Sequence, residues 1–147
     1  MRICTSENGW GSLILRLFLG AVFFPHGAQK VLGWFGGEGL NATITSFTTN
    51  HMPLVLAWLV IAAEFLGSLG LIFGFLTRFS AFGIGCVMTG AILLVHQKNG
   101  FFMNWSGKQA GEGFEFHLLA IGMCLALIIM GGGKWSIDRL FCRPKED

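Results

Sequence analysis

Charge is scarce in this chain. Only 12% of its 147 residues are Asp, Glu, Lys or Arg, where a soluble domain carries ~25%, so an ordinary water-facing surface is excluded. The formal net charge of +2 comes without a basic stripe, which argues against nucleic acid as a partner. The four cysteines, Cys4, Cys86, Cys124 and Cys142, form no CxxC pair. A dithiol redox site and a disulfide framework are therefore not expected. Neither HExxH nor HxxxH occurs, and without such spacing no metal is expected. No motif for flavin, haem or iron–sulfur binding is present, so the chain alone is not a complete oxidoreductase. Internal repeats and broken helices of the transporter kind are also missing, which leaves a small-solute transporter as the weakest functional class.

What is there is apolar. Hydrophobic residues make up 53% of the chain and mean hydropathy is +0.64. Four long apolar runs predict spans at approximately 11–33, 53–76, 78–97 and 114–132. Each approaches the ~20 residues a helix needs to cross the hydrocarbon core. The expected architecture is all-α: a single domain, an integral membrane four-helix bundle with short loops, its obligatory surroundings a lipid bilayer. Tyrosine is absent, and several of the five Trp residues stand near span ends, where amphipathic rings favour the membrane interface. Arg16 interrupts the first run, which continues into HGAQK without a small-residue cleavage pattern, so that run is expected to be retained rather than removed as a signal. With four spans, both termini share one side. That side would hold Arg2, Arg16, Arg78, Lys134, Arg139, Arg143 and Lys145, and the other only Lys30, Lys98 and Lys108. The positive-inside bias places both termini in the cytoplasm.

Helix faces and ends follow from spacing. Arg16, Gly20, Phe23, Gly27 and Lys30 recur at steps of four and three, so they share one helical face, which should point into the bundle. Glycines in the second and third runs suit close helix packing in lipid. Pro53 suits the first turn of the second helix, and Gly131-Gly132-Gly133 suits the stop of the fourth. Leu40, Ile44 and Phe47 recur at four and three, predicting a short interfacial helix in the first outer loop.

Depth decides which polar groups can meet. With a rise of ~1.5 Å per residue, His26 lies ~22 Å above the start of the first helix and Glu64 ~21 Å above Arg78. Glu64 should then pair with His26, or with Lys30 one turn higher, because an unpaired buried carboxylate is strongly disfavoured. His26, Lys30, Glu64, His96 and Glu115 together predict a polar pocket in the outer half of the bundle. His117 stands close by, ~200° from Glu115 around the helix, so only one of the two can face the pocket. Such a pocket suits hydrogen bonding and proton exchange with a quinone head group, or a transition metal, or serves only as glue between helices. Arg16, Arg78 and Asp138 lie near one level at the cytoplasmic end, where an ion pair between Asp138 and one arginine is expected as a structural clamp.

These residues occur in recognisable blocks. LRLFLGAVFFPHGAQKVLGWFGG (15–37), E-x-x-G-S-L-G-L-x-x-G-x-x-T-R (64–78), HQKNGFF (96–102), GEGFEFHLL (111–119) and GGGKWSID (131–138) resemble, in order, the DoxX family. The resemblance implies a four-helix protein of the bacterial inner membrane. It also implies a place as a subunit of a quinone-linked oxidoreductase, or beside soluble or membrane oxidoreductase partners. Arg16, His26, Lys30, Glu64, Arg78, His96, Glu115 and Asp138 fall on the family's motif positions, while His117 stands where the family usually has an apolar or small residue. The leading expectation is a membrane subunit that binds quinone. The alternative is a non-enzymatic anchor or assembly protein for soluble redox partners.

Overall fold

Apolar runs free of β-branched stretches and patterned at three and four residues fold as helices. In the computed structural model, which describes residues 9–141, they do so without any strand among the described residues. Helix α1 spans Gly9–Leu32, α2 Leu40–Thr49, α3 Leu54–Phe73, α4 Thr77–Ala91, α5 Glu115–Met130 and α6 Asp138–Phe141. Helix α4 runs on through a π turn, Ile92–His96, and a 3-10 turn, Gln97–Asn99. Three segments, Trp10–Leu32, Leu54–Phe73 and Thr77–Asn99, are long and apolar enough to cross a membrane, and Glu115–Met130 is a shorter apolar helix. Cys4, Cys142, Arg2, Arg143 and Lys145 lie outside the described residues.

Successive long helices pack antiparallel: α1 on α3, α3 on α4, α4 on α5, with α5 returning to α1. The shared face read in α1 is the packed one. Arg16, Gly20, Phe23 and Gly27 are buried and Lys30 half-buried, while Ile14, Phe18, Val22 and His26 face outward. Gly27 shows why that face needs glycine. A Cβ there would sit 2.6 Å from the Phe65 Cα and 2.9 Å from the Glu64 carbonyl carbon, so α1 and α3 meet backbone to backbone at this level. The core runs through Leu19, Phe23, Leu71, Ile84, Cys124 and Leu127.

Helix ends set the two ends of the molecule. Helix α3 stops at Gly74, whose φ of +68° is left-handed. The Gly74 N–H donates to Leu71 O, and the Phe75 N–H to Gly70 O, the bond pair of a Schellman motif. Gly131, at φ +75°, ends α5, where Ser12 Oγ donates to its carbonyl. Pro53 caps α3 from just outside, its carbonyl accepting the Ala57 N–H. At the opposite end lie α2, with Leu40, Ile44 and Phe47 half-buried, and the loop 97–114. These form the loop end of the molecule, and Gly74 and Gly131 mark the opposite, terminal end.

Candidate functional site

The loop end carries two polar pairs. Lys30, in the last turn of α1, reaches Glu64 on α3, with Nζ 2.5 Å from Oε2. The contact is one of charge: its direction leaves Oε2 without an aligned hydrogen bond. The Glu64 side chain is 8% exposed and that of Lys30 23%. Of the two partners expected for Glu64, the structure selects Lys30. His26 is exposed, its ring centroid 6.2 Å from that of Phe23 on the same helix.

The second pair was not anticipated. His96 closes the π turn after α4, and its ring centroid lies 4.1 Å from that of His117 on α5. His96 Nδ1 bonds the Glu112 carbonyl at 2.8 Å, and Asn99 Nδ2 donates to the same oxygen at 3.0 Å. His117 is buried, and its Nδ1 has no hydrogen-bond partner. The Phe116 ring lies edge-on to it at 5.6 Å and is itself stacked 6.3 Å from Phe23.

Glu115 points elsewhere. Its Oε1 accepts the Met103 N–H at 3.0 Å and the Trp105 Nε1–H at 3.2 Å. Glu112 Oε2 accepts the Asn104 N–H at 2.7 Å. The two carboxylates thus brace the loop while Phe101, Phe102 and Trp105 stay exposed. Of the five residues expected to line one pocket, Lys30 meets Glu64, His96 meets His117, Glu115 bonds the loop and His26 faces outward. Among the described residues no hydrogen bond or ion pair joins the two pairs. Neither does a group of three or more His, Cys, Asp or Glu gather there in a metal-ligating arrangement. His117 was legible in one signal. It stands at steps of three, four and three from Ala120, Cys124 and Leu127, all buried, whereas Glu115 shares its side of α5 with the exposed Leu118, Leu119 and Gly122.

At the terminal end, the expected ion pair between Asp138 and an arginine is not made: no such contact within 4.0 Å is present among the described residues. Asp138 instead accepts the Leu76 N–H at 2.7 Å and the Thr77 N–H at 2.9 Å. A carboxylate there satisfies donors that the start of α4 would otherwise leave bare. Arg16 is fully buried and donates to carbonyls, Nη1 to Leu71 O at 2.9 Å and Nη2 to Trp135 O at 2.6 Å. Arg78 Nη2 donates to Ile129 O at 3.2 Å. The clamp exists, but it is built from backbone groups: helix ends expose unpaired carbonyls and N–H groups, and these lie nearer to each side chain than an opposite charge does.

The profile of the DoxX family matches residues 11–97. A Haemophilus influenzae protein, named only as uncharacterized, is 32% identical over 137 residues, covering 90% of this chain and 84% of its own. The Bacillus subtilis protein named "Putative oxidoreductase CatD" is 31% identical over 137 residues, or 93% of this chain and 91% of that one. The Escherichia coli protein named "Inner membrane protein YqjF" is 33% identical over 131 residues, or 88% and 91% of the two chains. No solved structure matches. With the profile spanning more than half of the sequence and three relatives aligned along most of their lengths, this chain belongs to the DoxX family.

Proposed function

We propose that this protein is a multi-pass inner-membrane subunit of a quinone-linked oxidoreductase complex, with a quinone head group bound at the loop end. In this reading α1, α3, α4 and α5 cross the bilayer as a four-helix bundle, with both termini in the cytoplasm and the loop end outside. Support for the topology comes from the apolar helices, from the Lys and Arg gathered at the terminal end, and from the E. coli relative's name. A relative named as an oxidoreductase supports the redox assignment.

The observation that carries the reading is the gathering of ionisable side chains at one end of an otherwise apolar helix set. Lys30–Glu64 and His96–His117 stand there beside the stacked rings of Phe23 and Phe116. Ionisable groups at membrane depth are costly and mark functional or pairing sites. When bound, a quinone would supply reversible two-electron, two-proton chemistry. The donor set at the loop end has chemistry that suits such a head group, with imidazoles that can give or take a hydrogen bond and aromatic rings close by. Lys30 and Glu64 neutralise each other and so keep the neighbourhood free of net charge. The sequence has no motif for another redox group, so the electron donor or acceptor belongs to a partner protein.

A second reading, a non-enzymatic anchor for soluble redox proteins, is favoured by the braced loop that holds Phe102 and Trp105 out at 67% and 88% exposure. Native mass spectrometry of protein gently extracted from its own membrane separates the two. A bound mass equal to a quinone supports the first. A co-purifying soluble protein without quinone refutes it in favour of the anchor.

A further inference from the structure

Helix α5 is short for a bilayer. Its 16 residues reach ~24 Å at the α-helical rise, against the ~30 Å of a hydrocarbon core. Its antiparallel neighbour, Thr77–Asn99, runs for 23 residues. The two are level at the terminal end, where Arg78 in the first turn of α4 donates to the Ile129 carbonyl in the last turn of α5. The shortfall of ~6 Å therefore falls at the loop end, where the loop 97–114 takes the place of a further turn.

That loop is apolar where it meets the gap. Residues 100–105 read GFFMNW, and Phe101, Phe102 and Trp105 are exposed. Phe101 lies edge-on to Phe102 at 5.2 Å and to Phe114, next to α5, at 5.5 Å, so these rings form one patch. The patch is fixed to the start of α5. The Phe101 carbonyl accepts the Phe114 N–H at 3.0 Å and the Glu115 N–H at 2.9 Å, and a Cβ at Gly113 would collide with the Phe101 and Phe102 carbonyls. Irregular backbone beside lipid must have its polar groups paired within the protein, because hydrocarbon offers no partners. Here the Met103 and Asn104 N–H groups are taken by the Glu115 and Glu112 carboxylates, and the Trp105 indole N–H by Glu115 as well. Both approaches to the loop are also apolar and exposed, through Leu93, Leu94 and Val95 before it and Leu118 and Leu119 after it. Exposed Lys98 and Lys108 flank the patch. Lysines so placed lay their stems along apolar surface and carry their charge to the polar layer.

We propose that residues 100–105 sit in the lipid interface at the loop end. Phe101, Phe102 and Trp105 meet acyl chains over the length that α5 does not cover, and Lys98 and Lys108 pair with phospholipid phosphates. The inference rests on the reading that α5 crosses the bilayer, and is independent of quinone. It assigns to lipid the side chains that the anchor reading gives to a soluble protein. The polar groups of the patch are already paired, so it offers a protein few of the directional contacts an interface carries, whereas lipid requires none.

The test uses the full-length protein labelled with fluorotryptophan, in nanodiscs of phosphatidylcholine and phosphatidylglycerol. Loss of one fluorine resonance in Trp105→Phe and of another in Trp58→Phe assigns the two. Trp58 stands exposed in the second turn of α3 and reports whether the helices are in the bilayer. Each resonance is broadened in turn by lipid spin-labelled just below the head group and by a gadolinium chelate confined to water. Trp105 is expected to broaden with the lipid label as strongly as Trp58 and to be sheltered from the chelate. Phe102→Asp, which leaves the bonds of the loop in place, is expected to turn Trp105 from the lipid label to the chelate, and an unchanged pattern overturns the proposal. Broadening of wild-type Trp105 by the chelate alone, with Trp58 answering to lipid, overturns it too and leaves the crossing standing. Trp105 sheltered from both probes, with Trp58 answering to lipid, assigns the patch to a protein partner instead. A Trp58 untouched by the lipid label overturns the crossing as well.

Discussion

The Lys30–Glu64 pair should fail asymmetrically when each half is removed, and the structure sets the size of the difference. In Glu64→Gln the remaining ammonium sits in the last turn of α1 with its side chain already 23% exposed. A lysine stem so placed can carry its charge outward toward water, and the expected loss is about 1 kcal/mol. In Lys30→Met the carboxylate stays behind at 8% exposure, on a side chain too short to follow. An uncompensated buried charge costs about 3–5 kcal/mol. The ceiling is the cost of protonating an ordinary glutamate at pH 7, about 3.7 kcal/mol. Lys30→Met should therefore lose about 2 kcal/mol more than Glu64→Gln. The double variant Lys30→Met/Glu64→Leu should lie near wild type, because replacing both members of a buried pair with apolar residues is often neutral. Equilibrium unfolding in mixed detergent micelles, followed by far-ultraviolet circular dichroism, measures all three. Equal losses in the two single variants, or a double variant whose loss is the sum of the singles, would refute the reasoning.

Gly27→Ala places a Cβ 2.6 Å from the Phe65 Cα, on backbone that cannot turn aside. It should cost about 1–3 kcal/mol, whereas Gly90→Ala, with nothing within 4 Å, should be neutral or slightly stabilising; melting temperatures in detergent compare the two. Asp138→Ala removes the acceptor of the Leu76 and Thr77 N–H groups and should cost about 1–2 kcal/mol. Asp138→Asn should keep part of that, and a full loss in both would point to a charge contact rather than a cap. Glu115→Ala releases the Met103 N–H and the Trp105 indole. Hydrogen exchange across 101–106 should then quicken while the interior of α3 stays protected, and unchanged exchange would show that the loop is braced by other contacts.

The legible part of the fold lay in local repeats. Each apolar run became a helix, and the face shared by Arg16, Gly20, Phe23, Gly27 and Lys30 became the packed face of α1, because steps of three and four residues project on one side whatever the surroundings. The short helix α2 emerged from the same kind of pattern in Leu40, Ile44 and Phe47. Counting helical rise brought Glu64 level with His26, one turn below Lys30, which was enough to name Lys30 as one of its two candidate partners. Charge complementarity misled at the terminal end. Opposite charges at one level suggested an ion pair, but a rise along an axis says nothing about rotation around it. The open N–H groups at the start of α4 claimed Asp138 first.

The sequence by itself determined the helices, the inward face of α1, the stop of α5 at Gly131, and the family, since all of these rest on local spacing, backbone preference or ordered motif blocks. Only the tertiary structure decided that His117 faces His96, that Glu115 serves the loop and that Arg16 is held by carbonyls from two distant segments. Those outcomes depend on the relative rotation of helices and on which backbone groups are left unpaired at their ends. No single helix's residues specify either one.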